Sequence, residues 1–318
     1  MLNHFVISYQ ERDFCPGCHS LKNRCKLIGE LQTEYYQFGS FRIPSHSGRQ
    51  KAQVLECEQC GVFFKDLIPD RLSLSRLFES SKEKVWNKFY SYAAEAKLVE
   101  SLFPRKSIRV MDLGSANGEL LRSFEKFSRG LSALDVVKNP QCEKAVTDEY
   151  IESGLDEADI KWSGREYDLV TAFDVMEHLG DVRQGLRNIK QFLKPGGLAL
   201  IETGDAKSWL PRRFGVNNWW YLNRIEHHVA FTLESIFLLA KQEGLEPASA
   251  HRKRHKQRAA STNGRTFMRL LQSIMYHLHP KGYIRILSRL TNKTILQPSP
   301  ALGCDHLFVL LTKCSSNR

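Results

Sequence analysis

The 318-residue sequence contains no run approaching the roughly 20 apolar residues of a membrane-spanning helix, so it does not read as a helical membrane protein. Its first residues, MLNHFVISYQERDF, carry neither a basic leader nor a long apolar core, which predicts no secretory signal and a cytoplasmic chain. Thiols stay reduced in that compartment, so the eight cysteines are expected as metal ligands or buried packing rather than disulfides. No internal repeat and no low-complexity tract is visible. Charged residues at 25% and hydrophobic residues at 42% are ordinary for a globular protein, and the length suits about two domains.

Acidic residues are nearly missing from the C-terminal fifth. From His251 onward there are 13 Lys or Arg and one acid, Asp305, a net of +12. The whole chain carries +11, so everything before His251 is close to neutral. A basic stretch such as RKRHKQR (252–258) suits nucleic acid, anionic lipid or a phosphorylated substrate, and equally a solvated face with no partner.

A dinucleotide fingerprint is also absent. G-x-G-x-x-G would need glycine at 114, 116 and 119, and the sequence has Gly114, Ala116 and Glu119. The stretch does hold VMDLGSANGELL (110–121): an apolar strand ending on an acid, then a small-residue loop, then a helix start. Free N–H groups at a helix start, and glycines that admit close backbone approach, make such a turn a ligand cradle. Downstream, IRVMDL, LSALDVV, YDLVTAF, GLALIET and DHLFVLLTK read as strands. They alternate with helices over NGELLRSFEKFSR, KNPQCEKAV, DVRQGLRNIKQFL and LESIFLLAKQEG. This alternation predicts an α/β domain with a mostly parallel sheet. Residues 66–105 have helical spacing and could bridge two domains, and FMRLLQSIMYHLH predicts a helix inside a basic insertion at about 252–299.

Two C-x-x-C pairs, Cys15/Cys18 and Cys57/Cys60, are separated by 38 residues. Each turn can aim two thiolates at one ion, and tetrahedral zinc takes four. The gap is longer than that of the usual zinc ribbon, and intervening strands can fill it. Cys25 and His19 are alternative ligands, while Cys142, Cys304 and Cys314 are expected in packing or at the surface. A closed four-thiolate site is structural rather than catalytic. CPGCH also matches a haem-attachment pattern, which needs export, and a redox pair would need a surrounding βαβ unit that is not evident.

The acid-x-G-x-A-x-G run from Asp112 to Gly118 resembles the first motif of the class I S-adenosylmethionine-dependent methyltransferases, with Ala116 where that family often has glycine. Asp135 ends the next strand, 23 residues after Asp112, and FDVMEHLGD (173–181) followed by FLKPGGLALIET (192–203) resembles two later motifs in the same order. The resemblance implies a Rossmann-like seven-stranded methyltransferase sheet over 106–318, preceded by a zinc-ribbon-like module over 1–65 and a helical bridge over 66–105. It implies that Asp112, Gly114, Ser115, Ala116 and Gly118 hold the methionine end of the cofactor. Asp135 would hold the ribose, and the Phe173–Asp174 turn would close over the ligand. The adenine contact would come from the loop after the third strand, near Tyr150–Asp156.

The cysteine pairs ahead of this motif, with YSYAAEAK between, resemble the zinc-binding sugar C-methyltransferase-like group, which acts largely on nucleotide-linked deoxysugars. That resemblance implies a Glu-His pair after the fifth strand, here Glu226 and His227, followed by Phe231 and Thr232. Histidine titrates near neutrality and suits a general base. His227 is therefore the expected base with Glu226 orienting it, His228 is its rival, and Glu177 and His178 come next. The same residues could instead only dock the loop. The group often has tyrosine just before the pair, whereas Arg224 and Ile225 stand here and Tyr221 is displaced. Trp219, Trp220 and Tyr221 either line a sugar or ring pocket or pack beneath the loop.

The expected activity is methyl transfer to a small-molecule acceptor, a sugar, glycan precursor or related metabolite, phosphorylated or nucleotide-linked. Structural Zn²⁺ would hold the N-terminal module, and the basic tail would read phosphates or touch a membrane surface peripherally. The alternative is an rRNA or tRNA methyltransferase that docks RNA with the cysteine module and the basic tail. Against it stand the absence of an N-P-P-Y-like motif, of a Pro-Cys motif and of an OB or KH signature. A scaffold without activity is disfavoured by the presence of Asp112, Gly114, Gly118 and Asp135. The sequence leaves the oligomeric state open.

Overall fold

In a computed structural model the chain is described over residues 7–31, 35–38, 41–44, 52–85, 90–104, 107–254 and 304–314, with isolated positions between 271 and 286. Most of the expected basic insertion, and eight of the 13 residues of its expected helix, lie outside the described residues. Among the described residues no helix is long and apolar enough to cross a membrane.

The N-terminal strands are β1 (Tyr9–Glu11), β2 (Cys25–Glu30), β3 (Tyr35–Phe38), β4 (Phe41–Pro44), β5 (Gln53–Cys57), β6 (Phe63–Lys65) and β7 (Leu67–Pro69). Helices α1 (Arg71–Val85) and α2 (Ala93–Leu102) follow where helical spacing was read. Then come β8 (Ile108–Leu113), α3 (Glu119–Ser123), β9 (Ser128–Asp135), α4 (Pro140–Glu143), β10 (Tyr150–Glu152) and β11 (Tyr167–Phe173). The rest is α5 (Val182–Phe192), β12 (Leu193–Gly204), α6 (Trp209–Phe214), β13 (Val229–Ala230), α7 (Leu233–Gln242), β14 (Leu245–Lys253) and β15 (His306–Lys313).

Seven of these strands form one mixed sheet in the order β10-β9-β8-β11-β12-β15-β14. The first five run parallel, and β15 is inserted antiparallel between β12 and β14. The alternation implied an α/β domain with a mostly parallel sheet, and the family resemblance implied its seven strands. All seven residues of β11 are buried, which is why YDLVTAF is mostly apolar, with Asp168 and Thr171 buried as polar exceptions. Helix α5 buries Val182, Leu186, Ile189 and Phe192, one stripe at helical spacing, and Asp181 caps it by accepting from the Gln184 amide at 3.0 Å. Helix α7 begins with a reciprocal capping box between Thr232 and Ser235.

Two local expectations differ from the fold. The helix read over NGELLRSFEKFSR stops at Ser123, and a single 3-10 turn, Glu125–Phe127, leads into β9. Buried Phe124 anchors that turn, with Phe127 against it at 5.7 Å between ring centroids and the Ser128 hydroxyl bonded to the Phe124 carbonyl. Strand β14 was not read as a strand. It is a sheet edge with mostly exposed side chains and a register shift at Pro247, so it shows neither an apolar run nor clean alternation.

Four of the remaining strands build a second sheet, in the order β13-β6-β5-β2, while β1 pairs with β7 and β3 with β4 as two-stranded sheets. Its outer strand β13 comes from the segment after β12: Val229 pairs with Phe64, and Ala230 with Phe63. Cys15, Cys57, Cys60, Val62 and Phe64 share one hydrophobic cluster with Ile236 and Leu239 of α7 and Val182 of α5. The Val182 amide also donates to the Pro16 carbonyl at 2.9 Å. The cysteine-bearing segment therefore packs directly on the helices that cover the large sheet.

Candidate active site and cysteine cluster

Parallel α/β sheets bind ligands beyond the carboxyl ends of their strands, and here β8, β9 and β11 end on Asp112-Leu113, Asp135 and Phe173. Asp112 is buried and its Oδ1 accepts from Thr171 Oγ1 at 2.6 Å, its register partner on β11. The loop that follows turns through the left-handed region three times: Gly114 at φ 68°, Ala116 at φ 48° and Gly118 at φ 78°. A side chain at Gly118 would also meet the Cys142 Cα at 2.9 Å. Ala116 holds a conformation that costs a Cβ of order 1 kcal/mol or more, which is the physical reason a glycine fits that position better. The Ala116 amide donates to Asp135 Oδ2 at 2.8 Å, so the two expected cofactor elements are clasped together. Burial pushes the Asp135 carboxyl up, against the amides of Ala116, Val137 and Val136, which favour its ionised form.

A cleft of about 770 Å³ opens here, lined by Gly114, Ala116, Asp135, Glu152 and the loop 153–159. A smaller pocket of about 180 Å³ adjoins it, lined by Asp112, Ser115, Asn117, Phe173 and Asp174 on one side. Its other walls are Tyr90, Tyr92, His178, Trp220, Tyr221, Arg224, Glu226 and His227. Gly114, Ala116, Asp174 and His178 line both, so the cavities meet at the glycine loop. Asp174 also sits at a positive φ, 56°, a strain that non-glycine residues seldom adopt away from functional sites.

The expected catalytic residues separate. His227 faces the small pocket, whereas His228 lines the large cleft, because successive side chains point to opposite sides of an extended segment. The His228 backbone is pinned on both sides: its amide donates to the Glu177 carbonyl at 2.8 Å and its carbonyl accepts from the Lys65 amide at 3.0 Å. The Glu226 carboxylate pairs with Arg224 Nε at 2.8 Å, and its backbone carbonyl accepts from His178 Nδ1 at 2.8 Å. Glu226 Oε2, His227 Nδ1 and both ring nitrogens of His228 are buried without a hydrogen-bond partner. Burial, then the neighbouring His178, Arg224 and Lys65 side chains, hold the His227 imidazole well below its usual range. Burial, with Asp174 adding to it and His178 opposing, pushes the Glu177 carboxyl up.

Tyr221, displaced in the sequence from the position just before the Glu-His pair, is brought against His227 by the fold. Its ring lies 4.2 Å from that of His227, and its hydroxyl accepts from the Gly204 amide at 2.7 Å. Trp220 and Tyr221 line the pocket while Trp219 is fully buried and stacked on Tyr221 at 4.8 Å, so the aromatic run does both jobs considered for it. His306 went unread: it lies on β15, bonds Asp305 Oδ1 at 2.9 Å through Nδ1 and stands 3.7 Å from Asp174 through Nε2. Only its neighbour Asp305, the lone acid of a basic tail, hinted at it.

The four expected metal ligands come together. Cys15 Sγ lies 3.5 Å from Cys60 Sγ and Cys18 Sγ lies 3.4 Å from Cys57 Sγ, with all four sulfurs within 4.8 Å of one another. Sulfurs around one tetrahedral zinc sit roughly 3.8 Å apart, given Zn–S bonds of about 2.3 Å, so the set fits a single such ion. The Gly17 amide donates to Cys15 Sγ at 3.3 Å, which favours the thiolate. Cys25 and His19 are placed differently: Cys25 Sγ faces the Leu21 carbonyl at 3.8 Å, and His19 Nε2 pairs with Asp181 at 3.1 Å.

Comparison with known proteins places this geometry. The chain is 30% identical over 124 residues to the ubiquinone biosynthesis O-methyltransferase of Escherichia coli O127:H6, a match covering 36% of this chain and 50% of that protein. The corresponding protein of Escherichia coli O7:K1 is 31% identical over the same length. The chain thus spans about half the length of the curated relatives it matches. Among solved structures, the 1,6-didemethyltoxoflavin-N1-methyltransferase of Burkholderia thailandensis is similar at a TM-score of 0.49 and 14% identity, covering 85% of this chain and 98% of that one. A family described as a methyltransferase domain matches residues 86–250, more than half of the chain, and the chain belongs to that family.

Proposed function

We propose that this chain transfers a methyl group from S-adenosylmethionine to an oxygen of a small, ring-bearing acceptor, and that the four cysteines hold a structural Zn²⁺. The observation that carries the reading is the junction of the two cavities: the cleft at Asp135 meets the aromatic-walled pocket of His227 at the glycine loop.

The residues present fit the cofactor. Asp135 stands where a carboxylate can accept two ribose hydroxyls, and the loop 153–159 lines the cleft where the adenine would lie. The carboxylates of Asp112 and Asp174 face a ligand that carries an ammonium and a sulfonium charge. When bound, the cofactor supplies the methyl group. This chain's residues supply placement, which accounts for much of the rate in an in-line displacement. Tyr90, Tyr92, Trp220 and Tyr221 enclose the acceptor, and its proton passes to one of the two unpartnered atoms in the wall, His227 Nδ1 or Glu226 Oε2.

Similarity to relatives named as O-methyltransferases supports oxygen as the acceptor atom. The small, walled pocket supports a metabolite over a nucleic acid. The finer likeness to sugar C-methyltransferases rests on the cysteine module and the Glu226–His227 pair, and a hexose-like ring suits the aromatic walls.

Transfer of labelled methyl from S-adenosylmethionine into a fractionated cell extract tests the reading, with Asp135→Asn as the blank. Label in small-molecule, glycan or lipid fractions is expected. Label in RNA would overturn the acceptor class, and failure to bind S-adenosylhomocysteine would overturn the reading altogether.

A further inference from the structure

We propose that Glu177, His178 and His227 form a second metal site, for a divalent first-row transition ion, in the wall of the acceptor pocket. One ligand atom from each lies within 4.8 Å of the other two. Bonds of roughly 2.0–2.2 Å allow ligand atoms up to about 4.2 Å apart, so small rotamer adjustments close the set on one ion.

The surroundings of each side chain are those of a ligand. The His178 Nδ1 contact at 2.8 Å is to a backbone carbonyl, which only accepts, so Nδ1 carries the hydrogen and Nε2 keeps its lone pair. Glu177 is fully buried: Thr203 Oγ1 donates to its Oε2 at 2.9 Å, and its Oε1 has no hydrogen-bond partner. His227 is 6% exposed, its Nδ1 has no partner, and its ring stands edge-on to that of His178 at 5.0 Å between centroids. A buried carboxylate and a buried imidazole, each with an unpartnered atom and both clustered with a second oriented imidazole, are what one cation satisfies together.

Two imidazoles and one carboxylate suit zinc or iron(II) and leave coordination positions open. His178 and His227 both line the pocket, so the open positions face the space given above to the acceptor. The inference rests on that reading for its role and deepens it: the acceptor is an oxygen ligand, a hydroxyl or a pair of neighbouring hydroxyls, held on the ion. His227 then serves the ion, and Glu226 is the proton acceptor that remains.

The cysteine cluster and this site differ in chemistry, which makes them separable. The probe is Co²⁺, titrated by calorimetry and visible absorption into full-length protein whose cysteines already carry zinc. One Co²⁺ per chain is expected in the wild type, without cobalt–thiolate charge-transfer bands. Glu177→Gln and His227→Ala are each expected to weaken it roughly 100-fold or more, given that losing even an outer-shell partner costs about 10- to 100-fold. Their zinc content and circular dichroism are checked in parallel, and the near-isosteric Glu177→Gln stands in should His227→Ala not fold. No Co²⁺ bound by the wild type, or binding unchanged in both variants, overturns the site. Co²⁺ binding with no methyl transfer to any fraction would instead sink the function and leave the site standing. Methyl transfer that persists without any bound ion would sink the metal alone.

Discussion

Gly204 and Tyr221 fit together with no room for another atom. The Gly204 amide donates to the Tyr221 hydroxyl at 2.7 Å, and a Cβ built on Gly204 would lie 2.5 Å from the Tyr221 ring. The end of β12 thereby sets the position of the ring against which His227 leans.

Gly204→Ala should accordingly cost stability and activity at once. Overpacking of this kind costs about 1–3 kcal/mol. Because the displaced ring is a wall of the pocket, kcat should fall further than cofactor affinity. Thermal unfolding and an S-adenosylhomocysteine titration, beside a rate measurement, separate the two effects.

Asp135→Ala removes a carboxylate that holds the Ala116 amide and faces the cleft. Losing hydrogen bonds to a charged group costs about 1.5–3 kcal/mol, so the Kd for S-adenosylhomocysteine should rise roughly 10- to 150-fold. An unchanged Kd would remove Asp135 from the cofactor site.

Ala116→Gly should reverse an ordinary expectation. At most positions alanine to glycine costs about 0.5–1 kcal/mol through backbone entropy. Here the alanine holds φ 48°, and relief of that strain offsets the entropy. Denaturant unfolding should show the variant as stable as the parent or more so. A full ordinary penalty would show that the loop relaxes out of the left-handed region.

His306 and Lys65 give stability opposite slopes against pH. Burial alone would lower His306, but the charge and hydrogen bond of Asp305, with Asp174 and Glu202, raise it from 6.5 to about 9. A raised pKa stabilises fully below pH 6.5, and that contribution is lost as pH climbs through about 9. Burial lowers Lys65 from 10.5 to about 7, with Glu226 opposing and Arg12 and Arg224 adding to it. Its unfavourable contribution therefore fades as pH rises from about 7 toward 10.5. The two partly cancel in the wild type, so difference curves carry the test. Wild type minus His306→Gln should decline between pH 6.5 and 9, and wild type minus Lys65→Met should rise from about 7 upward. Flat difference curves would contradict both assignments.

Loss of the zinc proposed for the cysteine cluster should disturb the site itself. Cys57 ends β5, Cys60 lies in the turn to β6, and β6 pairs with β13 directly after His228. Cys57→Ser, or a strong chelator, should lower the zinc content and expose the amides of Lys65 and Ala230 to hydrogen exchange. Exchange that stays protected in the metal-free protein would show that packing on α7 suffices.

Much of this was legible in the chain, for reasons that differ by element. Asp112, Gly114, Gly118 and Asp135 stand at strand ends and a tight loop, where local geometry restricts residue type. The helix starts at Asp181 and Thr232 are fixed locally as well, by side-chain caps that act within three residues. The two C-x-x-C turns are local too. What stayed hidden depends on long-range pairing. Strand β13 is two residues long and exists only because β6 is beside it. The resemblance implied that Glu226 orients His227, whereas its carboxylate turns to Arg224 and its carbonyl to His178. Glu177 and His178 meet His227 only once β12 has crossed the sheet between them.

The pairing of Ala230 with Phe63 also bears on the order in which the protein can be made. A ribosome delivers the cysteine turns early, yet the sheet they belong to remains one strand short until residue 230 has been synthesised. During translation the edge of β6 must wait, with Phe63 and Phe64 uncovered, while the strands from β8 to β12 are laid down. An N-terminal fragment ending before the methyltransferase residues would keep that edge open for good, and a fragment beginning at residue 86 would lack the strand that pins the His228 carbonyl.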